Sequence, residues 1–163
     1  MKEYIHGGDI YRHPDVLDYS ANINPLGTPP GVIRAAKDSM ERVCHYPDAC
    51  QEKLKQALAE YEQVPVEWLI CGNGAAELIF ALVQAVKPKR ALVLAPTFAE
   101  YAQALEAVGC EVNREILKKE DGFALQDRIL DRLQKENLQM VFLCNPNLSL
   151  IHISEPTRPI SIS

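Results

Sequence analysis

Polar and apolar positions change rhythm twice along this chain. From Tyr4 to Thr28, Gly, Asn, Asp and Pro dominate with little periodicity, which predicts an extended arm and loops rather than packed elements. Pro30 and Gly31 then precede Val32, Ile33, Ala36 and Met40, whose spacing puts them on one helical face. After the break His45-Tyr46-Pro47-Asp48, Leu54, Leu58 and Tyr61 repeat that spacing and predict a helix from about Ala49 to Glu62. From Trp68 onward, short apolar runs alternate with amphipathic stretches, the mark of α/β organisation around a largely parallel sheet. Strands are predicted at Trp68–Cys71, Ala91–Ala95, Cys110–Leu117 and Met140–Cys144, with helices at about Ala75–Val86, Phe98–Val108 and Leu125–Glu136. The run Met140 to Cys144 is apolar on both pleat faces, as expected of a strand covered by helices on either side.

Composition narrows the function. The 163 residues carry 17 Lys and Arg against 22 Asp and Glu, a formal charge of -5, with 47% hydrophobic residues. That profile fits a soluble globular chain and argues against a coat for nucleic acid or an anionic membrane. Small anionic ligands need only a local site and stay open. Apolar runs such as Leu78 to Val83 reach six residues, far short of the roughly 20 of a membrane helix. The MKEYIHGGD start lacks a signal-peptide stretch. Cys44, Cys50, Cys71, Cys110 and Cys144 form no CxxC, so neither a disulfide framework nor a zinc site is suggested, and a cytoplasmic location is expected. Cys71, Cys110 and Cys144 read as buried small apolar residues on strands, and Asp131-Arg132 as solvated surface. His13, His45 and His152 have no metal-ligand spacing, so no metal site is assigned.

Three constellations carry candidate chemistry. In Leu69-Ile70-Cys71-Gly72-Asn73-Gly74-Ala75-Ala76-Glu77 a predicted strand enters a glycine turn that opens a helix. Such a turn offers free backbone N–H groups and a helix dipole to a phosphate, or else Asn73 merely caps the helix. Ala95-Pro96-Thr97-Phe98-Ala99-Glu100-Tyr101 stands at the carboxyl end of the next strand, where an aromatic can stack on a planar ring or simply pack inward. Cys144-Asn145-Pro146-Asn147 ends a third strand in the same crevice. A further loop, Asp18 to Gly27 with His6-Gly7-Gly8 upstream, reads as a carboxylate- or phosphate-recognising segment or as plain turns.

Taken in order, HGGD, DYSANINPLG, HYPDA, ICGNGAAELI, APTFAEY and FLCNPN resemble the N-terminal half of pyridoxal-phosphate enzymes of the aspartate aminotransferase fold. Among the class I/II aminotransferases they look most like the threonine-phosphate decarboxylases of cobalamin biosynthesis, with the histidinol-phosphate aminotransferases next. The resemblance covers about residues 4 to 147. It implies the large domain of a fold type I pyridoxal-phosphate-dependent transferase, a mostly parallel sheet with flanking helices, plus an N-terminal arm and small-domain segment. Residues 1–48 would form the arm, 49–147 part of the cofactor-binding domain.

The resemblance also implies roles. Gly72, Asn73 and Gly74 would hold the phosphate of pyridoxal 5'-phosphate, Phe98 would stack on its pyridine ring, and Tyr46 would reach the cofactor phosphate of a partner in a homodimer. His6 and Asn22 match positions near the substrate's phosphate and carboxylate. The HGG start beside SANINPLG favours decarboxylation of L-threonine O-3-phosphate over transamination. A non-catalytic phosphate-binding α/β module is the remaining alternative, and the joint presence of ANINPLG, HYPD and PTFAEY speaks against it.

The match stops at Asn147: position 148 is Leu where the family pattern continues with a second Asn. The string LIHISEPTR resembles translated sequencing-adapter read-through, so residues 148–163 are expected to be non-native. Lys53, Lys55, Lys118 and Lys119 lie in surface-like contexts, and no catalytic residue is assigned, because no lysine matches the one expected to form the Schiff base. Weak folding and aggregation are expected of the chain as written.

Overall fold

The structure is a computed structural model and describes positions 8, 10–18, 21, 23–145 and 147. The chain divides into two compact units with the break between Ile70 and Cys71.

In the first unit, α1 spans Pro30–Ser39 and runs on into a 3-10 turn at Met40–Arg42. Pro30 suits a first helical turn, where no N–H partner is needed. Helix α2 spans Glu52–Glu62, three residues later than the sequence predicts. Asp48 explains the delay: its Oδ1 accepts the Cys50 N–H and its Oδ2 the Glu52 N–H, each at 3.0 Å, so the helix begins on that carboxylate. These two bonds hold the Asp48 carboxyl below its ordinary range, the Glu52 N–H contributing most.

The second unit begins with α3 at Gly74–Val86, followed by β1 at Arg90–Ala95, α4 at Ala99–Ala107, β2 at Glu111–Ile116, α5 at Arg128–Lys135 and β3 at Met140–Phe142. The strands form a parallel sheet in the order β2-β1-β3, with Ala91 opposite both Val112 and Met140. Alternation along β1 divides its side chains between two cores. Ala91 and Val93 join Val83, Ala104, Leu105 and Cys110, while Leu92 and Leu94 join Leu117 and Ile129. Burying a side chain the size of Leu92 stabilises by about 2 kcal/mol.

Two expectations change. The strand predicted at Trp68–Cys71 is a 3-10 turn at Val66–Trp68 followed by extended chain, with no ladder partner among the described residues. Leu69 keeps an extended backbone (φ -105°, ψ 131°), but Trp68 and Ile70 are 73% and 80% exposed. Apolar content alone cannot make a strand without a neighbour to bond. The strand covered on both faces is β1, not β3: β3 is three half-buried residues at one side of the described sheet. Cys110 is buried just ahead of β2, whereas Cys71 and Cys144 are half-buried outside strands.

Candidate functional site

The turn Gly72-Asn73-Gly74 is built by local bonding. Gly74 N–H donates to the Gly72 carbonyl at 2.9 Å across Asn73 at φ -79°, ψ 69°, an inverse γ-turn. Gly74 itself sits at φ +83°, which an L side chain rarely adopts. Glu77 folds back from the first helical turn and accepts the Asn73 N–H. Room for that return exists because residue 72 has no side chain: a Cβ there would stand 2.8 Å from Glu77 Oε2 and 2.9 Å from Leu78 Cδ2.

Asn73 caps through its backbone alone, since its side chain makes no capping hydrogen bond. The Ala75 and Ala76 N–H groups therefore keep the outward aim of any helix start, at the positive end of the dipole. Glu77 takes the Asn73 N–H and the Gly72 carbonyl takes the Gly74 N–H, so the donors left for a phosphate are these two rather than those of the turn itself. A phosphate fits this terminus by donor count and by sign.

Phe98 and Tyr101 follow the next strand, β1. Helix α3 has 13 residues and β1 has 6, each about 20 Å long, and only Lys87–Lys89 link them. Val83 of α3 shares one buried cluster with Ala91 and Val93 of β1, and the helix lies against α4. Past the carboxyl end of β1 the Ala95-Pro96 bond is cis and Phe98 is the N-cap of α4, with its ring partly exposed. Phe98 meets the Tyr101 ring edge to face at 5.7 Å, and Tyr101 stacks on Phe142 at 4.7 Å and 20°. Burial, with a hydrogen bond to Cys144 second, pushes the Tyr101 hydroxyl up to about 12. Asn147, nearly buried, donates from Nδ2 to the Pro96 carbonyl at 3.0 Å and ties the exit of β3 to that of β1.

Gly72, Asn73, Gly74 and Phe98 all fall in the second unit, the turn ahead of α3 and Phe98 at the start of α4. Tyr46 belongs to the other unit, where it is fully exposed beside Pro47 and Asp48. His6 and Asn22 lie outside the described residues. Glu77, Tyr101, Phe142 and Asn147 are additions the sequence reading leaves without a role. The Glu four residues after Asn73 resembles a capping box and was the one readable signal. Arg132, expected as solvated surface, is instead half-buried and bonds Glu115 at 2.7 Å and Glu136 at 2.6 and 3.0 Å. No cluster of three metal-ligating side chains exists among the described residues.

A helix start presenting unspent N–H groups behind a glycine turn, with an exposed aromatic past a strand end in the same unit, makes an α/β protein suited to a phosphorylated planar ligand. The chain belongs to the aminotransferase class I and II family, whose pattern matches residues 14–148. It is 46% identical over 150 residues to the threonine-phosphate decarboxylase of Salmonella typhimurium, covering 87% of this chain and 41% of that protein. It is 36% identical over 140 residues to a histidinol-phosphate aminotransferase of Desulfitobacterium hafniense, covering 82% and 39%. Its fold matches the histidinol-phosphate aminotransferase of Sinorhizobium meliloti, solved in complex with pyridoxal-5'-phosphate, at a TM-score of 0.68 and 21% identity, covering 78% and 35%. The chain therefore spans about two fifths of the length of the curated relatives it matches.

Proposed function

We propose that this chain carries the cofactor-anchoring region, within residues 49–147, of a homodimeric pyridoxal 5'-phosphate enzyme. Its reaction is the decarboxylation of L-threonine O-3-phosphate to (R)-1-amino-2-propanol O-2-phosphate in cobalamin biosynthesis. The observation that carries the reading is the start of α3 behind the Gly72–Gly74 turn, with the Ala75 and Ala76 N–H groups unspent, in the same compact unit as Phe98. Likeness to the Salmonella decarboxylase supports the substrate.

When bound, the cofactor supplies an electron sink for charge left at the substrate Cα. The Ala75 and Ala76 N–H groups hold its phosphate against the start of α3. Phe98 offers an apolar face to the pyridine ring and excludes water from one side of it. Tyr46, exposed and clear of its own unit's core, reaches toward the phosphate held by the partner subunit. His6 and Asn22 are assigned to the substrate's phosphate and carboxylate. Contacts of His6 with the distant phosphate would supply the binding energy with which Asn22 orients the substrate's carboxylate for loss as carbon dioxide.

The 163-residue chain titrated with pyridoxal 5'-phosphate is expected to bind it saturably and more tightly than pyridoxal, with no borohydride-reducible lysine adduct. Equal affinity for the two would overturn the anchoring assignment. The reaction itself is tested on the enzyme that contains this region. Carbon dioxide released from threonine phosphate supports the decarboxylase, whereas 2-oxoglutarate-dependent amino transfer from histidinol phosphate would establish the reading favoured by the Desulfitobacterium relative.

A further inference from the structure

The aromatic that faces the ligand does not stand alone. Phe98 is the first aromatic residue past the β1 exit, and as the N-cap of α4 it precedes the helix rather than being gripped by it. Its ring orientation must come from side-chain neighbours. Tyr101 is that neighbour, one helical turn on, presenting to Phe98 a ring at 86° and 5.7 Å. Tyr101 is itself fixed on three sides. Phe142 of β3 stacks on it at 4.7 Å, the core cluster around Val83, Ala104 and Leu105 backs it, and its hydroxyl shares a hydrogen bond with Cys144 just beyond β3.

We infer that Tyr101 is a positioning residue for the candidate site: stacked on Phe142 and anchored on Cys144, it sets the plane in which the Phe98 ring meets the ligand. The inference rests on the assignment of Phe98 to the pyridine ring. Its chemical consequence is that recognition of the planar ring, not of the phosphate, depends on a contact between α4 and β3. The phosphate turn precedes α3 and shares no ring contact with Tyr101. A Tyr suits this place better than a Phe, because the hydrogen bond to Cys144 tethers the far end of the ring to the residues that follow β3.

The test compares the full chain with Phe98→Leu, Tyr101→Leu and Tyr101→Phe. Affinities for pyridoxal 5'-phosphate, for pyridoxal and for inorganic phosphate are measured along with the circular dichroism induced in the bound chromophore. Losing the edge contact in Tyr101→Leu should weaken both ring-bearing ligands about fivefold and diminish the induced signal. Losing only the hydroxyl in Tyr101→Phe should cost about threefold. Inorganic phosphate should bind all four proteins alike, which a general loss of structure would not permit. If Tyr101→Leu does not fold, Tyr101→Phe decides by itself. A folded Tyr101 variant with wild-type ring affinity and induced signal would overturn the inference. Failure of the wild-type chain to bind the ring-bearing ligands, or of Phe98→Leu to weaken them, would instead remove the assignment of Phe98 on which the inference rests.

Discussion

Gly72 leaves no space for a side chain, and the reason is Glu77. A Cβ at position 72 meets Glu77 Oε2 at 2.8 Å and Leu78 Cδ2 at 2.9 Å. The glutamate's flexible end can swing away, but only by releasing the Asn73 N–H, and the Leu78 methyl belongs to a packed helix. Gly72→Ala is therefore expected to destabilise the chain by about 1–3 kcal/mol, read from the denaturant midpoint, with weaker phosphate affinity. Glu77→Gln separates two effects, because the amide oxygen still accepts the Asn73 N–H while the negative charge disappears. With less repulsion at the helix start, phosphate should bind the Gln variant more tightly at low ionic strength, and added salt should erase the difference. A Gln variant that binds more weakly at every salt concentration would contradict this account.

Among the elements, α5 is held to the sheet by charge. Glu115 of β2, nearly buried, receives Arg128 Nε and Arg132 Nη1, both at 2.7 Å, and Arg132 also bonds Glu136 and the Arg114 carbonyl. Burial pushes the Glu115 carboxyl up, but the two guanidinium groups outweigh it and leave it below the ordinary range. A carboxyl lowered in the folded state stabilises fully above its unfolded pKa, and that contribution is lost as pH falls through the folded value. The Asp48 cap of α2 has the same sign. Acid titration should therefore loosen α5 and α2 below about pH 4, and Glu115→Ala should remove the α5 part of that dependence. Its cost at neutral pH is about 1–3 kcal/mol by thermal melting, since both arginines lose a partner. The bonds to Glu115 were not legible from the pattern: Arg128 and Arg132 are polar residues on an amphipathic helix, and only the sheet on the far side of the loop supplies that carboxylate. By contrast, the apolar run Ala91–Leu94 and the glycine turn declare themselves, because burial on both faces and positive φ each demand particular residue types.

At the scale of the whole molecule, buried apolar surface is distributed very unevenly. Beyond Cys71, two clusters clamp β1 from both sides. Before it, Ala59 is the buried apolar residue among those described, and α1 buries none, with Val32 56% and Ile33 43% exposed. Periodicity predicted the apolar face of α1 correctly yet could not say what covers it, because a pattern records a need for burial and not its fulfilment. The helix, the Trp68–Ile70 segment and the outer side of α3, with Leu82 52% and Val86 50% exposed, all display such needs. Local opening costs little where few contacts must break. Hydrogen exchange should accordingly find peptides over Arg90–Ala95 the most protected and those over Pro30–Ser39 exchanging far faster, with no shared cooperative step. The exposed apolar positions should show themselves as dye binding and self-association. Equal protection of α1 and β1, with a monomeric and dye-silent chain, would mean that the first unit has a core of its own.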